Sequence, residues 1–203
     1  MRALILSCTL KTSPAPSNTE ELAKVLTGQF KADGIESEIL RLVDLDIKPG
    51  VKSDMGSGDA WPGVREKILA ADIVVMATPT WLGQHSSVCQ RAIERMDAML
   101  SETKDDGRPI LFDKVAGVVV TGNEDGAHHI VACVTQAMMD CGFTIPAQCW
   151  TYWHLGPGPG PDYNDEPKGH EWSDRTGRNA ARNLASVARA LKAMPLPQQE
   201  TSD

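Results

Sequence analysis

Hydroxyl, amide and lysine side chains are concentrated in residues 7–21, which read SCTLKTSPAPSNTEE. The side chains here that can bind an anion are Ser7, Thr9, Lys11, Thr12, Ser13, Ser17, Asn18 and Thr19. Ser17 and Glu20 have the spacing of a capping box, so a helix is expected to begin here. The free N–H groups and the dipole at a helix start favour an anion. The stretch predicts a phosphate site, and the alternative is an ordinary polar loop before a capped helix.

A second candidate segment, TPTWLG, follows an apolar run at residues 73–77. After its first threonine it comprises Pro79, Thr80, Trp81, Leu82 and Gly83. Such a turn offers an apolar wall, a flat ring and backbone N–H groups, which suit a planar heteroaromatic ligand. The alternative is a hydrophobic loop that packs on its own core. Trp81 argues against that alternative, because a tryptophan in a turn with proline and glycine is hard to bury internally.

A third candidate segment, TGNEDG, follows the apolar run at residues 115–120. It comprises Thr121, Gly122, Asn123, Glu124, Asp125 and Gly126. Glycine lets the backbone approach a ligand closely, and asparagine tolerates unusual dihedral angles. The alternative is a simple turn with an acidic N-cap for the next helix.

The sequence lacks the patterns of several other reaction classes. It contains no GxxxxGK[ST] phosphate loop, and the first segment has no GxGxxG. A cysteine phosphatase needs arginine at the sixth position after its cysteine, and the residue at that position after Cys8 is Pro14. The five cysteines never form CxxC, and the adjacent His128 and His129 would point in different directions on a helix, so no metal or iron–sulfur site is expected. The GPGPG at residues 156–160 leads into no helical pattern, so it resembles a dinucleotide fingerprint only superficially.

Length and charge limit the possible partners. The 203 residues predict one domain, and the net charge of −7 argues against nucleic acid and anionic membranes as partners. Small molecules or another protein are the expected partners. The scattered cysteines indicate a reducing compartment, and neither a signal peptide nor a membrane span is recognisable, so a cytoplasmic location is expected.

The apolar patterns alternate between strands and helices. Apolar runs at residues 3–6, 73–77 and 115–120 predict strands buried on both faces, and residues 36–40 and 143–150 predict two more strands, the last near an edge. Helical stripes occur at Leu22, Val25, Leu26 and Phe30; at Val88, Ala92, Met96 and Met99; at Ile130, Val134, Ala137 and Met138; and at Leu184, Val187, Ala188 and Leu191, with a weaker pattern at residues 61–70.

This order predicts an α/β domain, with an open parallel five-stranded sheet and helices on both faces. The domain is expected to span residues 1–194, and the polar tail 195–203 is expected to be disordered. In such sheets ligands bind beyond the carboxyl ends of the strands, where the three candidate segments lie. Residues 150–172, rich in tryptophan, tyrosine, proline and glycine, are expected to form a long functional loop.

The three segments, in this order, resemble the FMN-contacting loops of the flavodoxin-like NAD(P)H-dependent oxidoreductases over about the first 155 residues. The resemblance implies a flavodoxin-like doubly wound sheet with strand order 2-1-3-4-5. It implies that Ser7, Thr9, Lys11, Ser17, Asn18 and Thr19 bind the FMN phosphate. It also implies that residues 79–83 line the isoalloxazine ring and that residues 121–126 close over its other edge.

The implied activity is transfer of hydride from NADPH or NADH through FMN to a quinone or a similar small acceptor. FMN carries this chemistry, so no catalytic side chain is assigned. The resemblance also implies a homodimer or homotetramer. Because residues 150–172 follow the fifth strand and carry tryptophan and tyrosine, they are expected to form a wall or lid of the acceptor pocket in the same or a neighbouring subunit; the alternative is an aromatic loop that covers the core. The alternatives are a flavodoxin-type electron carrier that binds FMN without nicotinamide turnover, and a cofactor-free interaction domain on the same fold.

Overall fold

The computed structural model describes residues 1–166 and 168–198. Within them the strands are β1 Arg2–Ser7, β2 Glu36–Arg41, β3 Ile73–Trp81, β4 Gln84–His85, β5 Val115–Thr121 and β6 Trp150–Trp153. The helices are α1 Asn18–Ala32, α2 Trp61–Ala70, α3 Ser87–Met96, α4 Ala127–Asp140 and α5 Glu171–Ala193. Each predicted helical stripe therefore lies on a helix, although Met99 belongs to a short 3-10 turn that follows α3.

Five parallel strands form the main sheet in the order β2-β1-β3-β5-β6. Counted as parallel strands alone, this is the order 2-1-3-4-5, so the predicted flavodoxin-like fold is confirmed. The short strand β4 is an addition that pairs antiparallel with the end of β3, Thr80 opposite His85 and Trp81 opposite Gln84.

The central strands are buried on both faces because helices cover both sides of the sheet. Met76 and Val118 lie in the apolar layer formed with α2, α3 and α4. Ile5, Val75 and Val119 face the opposite way and pack in the layer formed with α1 and α5. This double burial explains why these strands read as continuous apolar runs.

The prediction of the last strand at residues 143–150 is wrong. Thr144 makes only an isolated parallel bridge with Val115, and the regular strand begins at Trp150. Pro146 cannot donate a backbone hydrogen bond, and Gln148 has a φ of +49°, so neither supports a strand. The predicted loop at residues 150–172 is correspondingly shorter: it begins after β6, and Trp172 lies in the first turn of α5.

Part of the predicted tail is described. The backbone N–H of Leu196 donates to Asp113 at 2.9 Å, and its carbonyl accepts from Arg108 at 3.1 Å. Residues 199–203, which were also predicted to be disordered, lie outside the described residues. No helix in residues 1–166 and 168–198 is long and apolar enough to cross a membrane.

Candidate functional site

A cleft lies at the carboxyl ends of β1, β3 and β5, where the three candidate segments meet. It is lined by Thr9, Leu10, Lys11, Ser17, Asn18, Thr19, Pro79, Thr80, Trp81, Thr121, Gly122, Asn123, Asp162 and Tyr163. Most of the residues predicted to bind a cofactor are thus brought together. Ser7, Leu82, Gly83, Glu124, Asp125 and Gly126 were also predicted but do not line this cleft.

The first turn of α1 provides one end of the cleft. Ser17 is the N-cap in an extended conformation, and its hydroxyl accepts a hydrogen bond from the backbone N–H of Glu20 at 3.3 Å. The N–H groups of Asn18 and Thr19 have no partner within the helix, because the first turn of a helix leaves its donors free. These donors, together with Lys11 and Thr9, suit an anion such as a phosphate.

Ser7 lies beneath the first segment and supports it. Its fully buried hydroxyl donates to the Glu20 carboxylate at 2.6 Å, and the guanidinium of Arg41 donates to the same carboxylate at 2.5–2.7 Å. Burial alone would raise the pKa of Glu20, but the hydrogen bonds from Arg41 and Ser7 lower it. Arg41 also donates to the carbonyls of Lys11 and Ala15, so it fixes the course of the loop.

The second segment forms a tight hairpin between β3 and β4. Leu82 and Gly83 are its two turn residues, with φ of +50° and +74°, as a type I′ turn requires. The Leu82 side chain is 91% exposed and points away from the cleft, whereas Trp81 lines the cleft and is 53% exposed. Trp81 is therefore available to a ligand and is not part of the core.

The third segment packs directly on the second. Gly126 has a φ of +118°, and a Cβ there would lie 2.7 Å from the Gly83 Cα. A Cβ at Gly122 would lie 2.8 Å from the Thr80 hydroxyl. Only glycine fits at these positions, so the two backbones can approach a ligand from neighbouring sides.

A further side of the cleft comes from the segment that was expected to form a wall of the acceptor pocket, although Asp162 itself was not predicted as a site residue. Asp162 and Tyr163 line the cleft from this segment, and Leu10 was also missed. The GPGPG at residues 156–160 braces the third segment: the Gly160 N–H donates to the Asn123 carbonyl at 2.6 Å. The sequence does carry a signal for this contact, because glycine often marks a place where another backbone approaches closely.

An aromatic cluster holds Tyr163 in place. Tyr163 and His170 stack with ring centroids 3.9 Å apart, and Trp153 meets both rings edge-on. Burial raises the pKa of Tyr163 to about 12, with further contributions from Asp174 and Glu21.

Within one chain, the expected wall of residues 150–172 is therefore corrected, whereas its contact with a neighbouring subunit stays a prediction. Trp153 is 3% exposed and packs in the core, and it does not line the cleft. The Trp150 and Tyr152 rings stack on each other and meet His128 of α4 instead. Side chains alternate along β6, so Trp150 and Tyr152 face opposite to Trp153. Of these aromatic residues, only Tyr163 lines the cleft.

The titratable side chains form no metal site in the part of the chain that the structure describes: no three His, Cys, Asp or Glu residues are grouped to hold an ion. His129 is hydrogen-bonded to Gln84 at 3.1 Å, while His128 packs on Trp150, so the two histidines point apart. The cleft therefore combines free N–H donors at the start of α1 with an exposed ring at Trp81, and this combination fits a planar heteroaromatic group that carries a phosphate.

Residues 1–155 match the profile of a protein family described as NADPH-dependent FMN reductase. The chain is also 35% identical to 8-demethyl-8-aminoriboflavin-5'-phosphate synthase of Streptomyces davaonensis, over 96% of this chain and 80% of that protein. It is 38% identical to the divalent metal cation transporter MntH of Mycobacterium bovis over 95% of this chain, but it spans only 29% of the transporter's length.

A solved structure agrees with these sequence matches. The crystal structure of RosB with bound 8-demethyl-8-formylriboflavin-5'-phosphate superposes with a TM-score of 0.89 at 32% identity. The superposition covers 97% of this chain and 82% of RosB. The similarity to RosB thus extends past residue 155, where the family match ends, into the segment that carries Asp162 and Tyr163.

Proposed function

The chain belongs to the NADPH-dependent FMN reductase family, and on this premise we propose that it is an FMN-dependent NAD(P)H oxidoreductase. Its substrates are a nicotinamide donor, NADPH or NADH, and a small acceptor such as a quinone. The single observation that carries the proposal is the cleft itself, in which the start of α1 and the Trp81 ring line one site.

The anion end of the cleft is proposed to hold the FMN phosphate. The N–H groups of Asn18 and Thr19 and the Lys11 ammonium supply donors with full or partial positive charge. Arg41, which is paired with Glu20, holds the loop and is not a ligand in this proposal.

The opposite end is proposed to hold the isoalloxazine ring. Pro79 and Trp81 supply apolar surface. Gly122 packs closely on Thr80, so no side chain fills the space beside this apolar surface. FMN supplies the two-electron chemistry when it is bound, so the residues of this chain bind, orient and shield the reactants. No side chain is required to transfer a proton.

The proposal is tested by steady-state oxidation of NADPH and NADH by the FMN-loaded protein with a soluble quinone. We expect turnover that depends on FMN and that falls in Trp81→Ala. Leu82→Ala is the matched control, because Leu82 neighbours Trp81 but points into solvent. FMN binding without nicotinamide oxidation would favour the electron carrier, and failure to bind FMN would favour an interaction domain.

A second candidate is an enzyme that uses the flavin 5'-phosphate as its substrate. The sequence similarity to a protein named 8-demethyl-8-aminoriboflavin-5'-phosphate synthase favours this candidate. The two sequences are 35% identical over 96% of this chain. Mass spectrometry of the flavin after aerobic incubation with the protein and an amine donor, such as an amino acid, separates the two. An unchanged mass supports the reductase, whereas a modified flavin supports the second candidate.

The homodimer or homotetramer implied by the resemblance stays a prediction. Light scattering of the purified protein tests it, because the molar mass in solution is then compared with 22.0 kDa for one chain.

A further inference from the structure

We infer that residues 160–164 form a specificity wall for the polyol chain of the flavin, with Asp162 as the acceptor of hydrogen bonds from its hydroxyl groups. The inference rests on the proposed function, because it requires a flavin in the cleft. It concerns residues beyond position 155, where the family match ends.

The wall and the two proposed ends of the ligand belong to one cleft. Asp162 and Tyr163 line the same cleft as Ser17 and Trp81. The backbone N–H of Asn164 donates to the Asn18 side-chain oxygen at 3.1 Å, so the wall is attached to the start of α1. The ribityl chain of FMN joins its phosphate to its ring. The hydroxyl groups of a flavin with its phosphate at α1 and its ring at Trp81 therefore lie inside the cleft that Asp162 lines.

The carboxylate of Asp162 has the chemistry to bind hydroxyl groups. Its side chain is half-buried, and within residues 1–166 and 168–198 no group donates a hydrogen bond to the carboxylate. Only its backbone carbonyl is engaged, by the Asp165 N–H at 3.0 Å. An ionised carboxylate only accepts hydrogen bonds, so its oxygens suit the hydroxyl groups of a polyol. A phosphate would be repelled by it, so the polyol is the part of the ligand that it fits.

The wall is held in position by the protein itself. The stack of Tyr163 on His170 anchors its centre, and the hydrogen bond from Gly160 to the Asn123 carbonyl fixes its beginning. An acceptor that is already in place loses less free energy on binding than one on a mobile loop. Asp162 therefore acts as a fixed selectivity element.

Three flavins distinguish this role from a general effect on the cleft. FMN has the polyol and the phosphate, riboflavin has the polyol alone, and lumiflavin has neither. The dissociation constant of each is measured by quenching of flavin fluorescence for wild type, Asp162→Ala and Asp162→Asn. Asp165→Asn is the matched control, because Asp165 lies in the same short 3-10 turn region but is exposed and does not line the cleft.

We expect Asp162→Ala to raise the dissociation constants of FMN and riboflavin about tenfold, since a hydrogen bond to a charged group is lost. The dissociation constant of lumiflavin should change by less than about twofold. Asp165→Asn should leave all three unchanged. Equal weakening of all three flavins by Asp162→Ala would overturn the inference, as would unchanged or tighter binding of riboflavin.

Should Asp162→Ala fail to fold, judged by circular dichroism, Asp162→Asn decides. This variant keeps the size of the side chain and removes the charge. It should weaken the binding of riboflavin and leave the binding of lumiflavin unchanged. If the wild-type protein binds none of the three flavins, the proposed function itself fails. If wild type binds FMN and both Asp162 variants bind it equally well, only the inference fails.

Discussion

The hydroxyl groups of Thr19 and Thr121 lie 2.6 Å apart and form a buried hydrogen bond. Thr19 is in the first turn of α1, and Thr121 is the last residue of β5, 102 positions away in the sequence. This bond ties the start of α1, at one end of the cleft, to the third segment. The geometry of the site therefore depends on contacts between the loops as well as on each loop alone.

The first prediction tests this bond. Thr121→Val leaves the Thr19 hydroxyl buried without its partner, which should lower the free energy of unfolding by about 1–3 kcal/mol. The double variant Thr19→Val with Thr121→Val should be less destabilised than the sum of the two single variants. Urea denaturation of the four proteins measures the coupling, and strictly additive effects would show that the hydroxyl groups do not interact.

The second prediction concerns the phosphate. FMN should bind more tightly than riboflavin, because a charge-assisted hydrogen bond contributes about 1.5–3 kcal/mol. Lys11→Met should reduce the difference in affinity between FMN and riboflavin, because it should weaken the binding of FMN and leave the binding of riboflavin unchanged. Lys168→Met is the control, since Lys168 is an exposed lysine that does not line the cleft. Equal dissociation constants of wild type for the two flavins would contradict the phosphate site.

The third prediction concerns the acidic residues of the third segment. Glu124 and Asp125 neighbour Asn123, which lines the cleft, and their charge should disfavour an anionic reduced flavin. Replacing them together, as Glu124→Gln and Asp125→Asn, should raise the two-electron potential of bound FMN in a redox titration. An unchanged or lowered potential would mean that these carboxylates do not act on the ring.

The fourth prediction concerns the GPGPG brace. Gly156 and Gly158 have φ of +85° and +98°, so alanine strains the backbone at both positions. A Cβ at Gly158 would lie 2.6 Å from the Glu124 Cβ, whereas a Cβ at Gly156 meets nothing within 4 Å. Gly158→Ala should therefore weaken FMN binding more than Gly156→Ala does. Affinities of both variants equal to that of wild type would show that the brace has no influence on the site.

The fifth prediction concerns a buried ion pair. The Arg95 and Asp59 side chains are fully buried and 2.7 Å apart. Burial alone would raise the pKa of Asp59, but hydrogen bonds from the Met55 N–H, from Arg95 and from other backbone groups lower it to about 2. Because the folded pKa is lowered, the stabilisation is present above the unfolded value of about 3.9 and is lost as pH falls towards 2.

Asp59→Asn should reduce the free energy of unfolding at neutral pH by about 3–5 kcal/mol, because it leaves the buried Arg95 guanidinium without its counter-charge. Its stability should also vary less than that of wild type between about pH 4 and pH 2. Parallel pH profiles of the two proteins in urea denaturation would contradict this account.

The sequence predicted the elements whose patterns are local. The apolar runs at residues 73–77 and 115–120 became β3 and β5, and the stripe from Leu22 to Phe30 lies on α1. The three segments at the strand ends were found because the carboxyl ends of parallel strands meet at one edge of the sheet.

Contacts between distant segments could not be predicted in this way. Glu20 had the spacing of a capping box, but its carboxylate turns to Arg41, which depends on the pairing of β1 with β2. Asp162 and Tyr163 lie in a segment without periodicity, and they reach the cleft through contacts with residues more than thirty positions away. Neither propensity nor spacing encodes such contacts.

The central claim is that this chain holds FMN in the cleft and reduces it with a nicotinamide. The most direct test is an anaerobic titration of the FMN-loaded protein with NADPH and, separately, with NADH, followed by the visible absorbance of the flavin. The account predicts that the absorbance of bound FMN is bleached by about one equivalent of at least one of the two donors, since each delivers two electrons. Bound FMN that stays oxidised in an excess of both donors would contradict it.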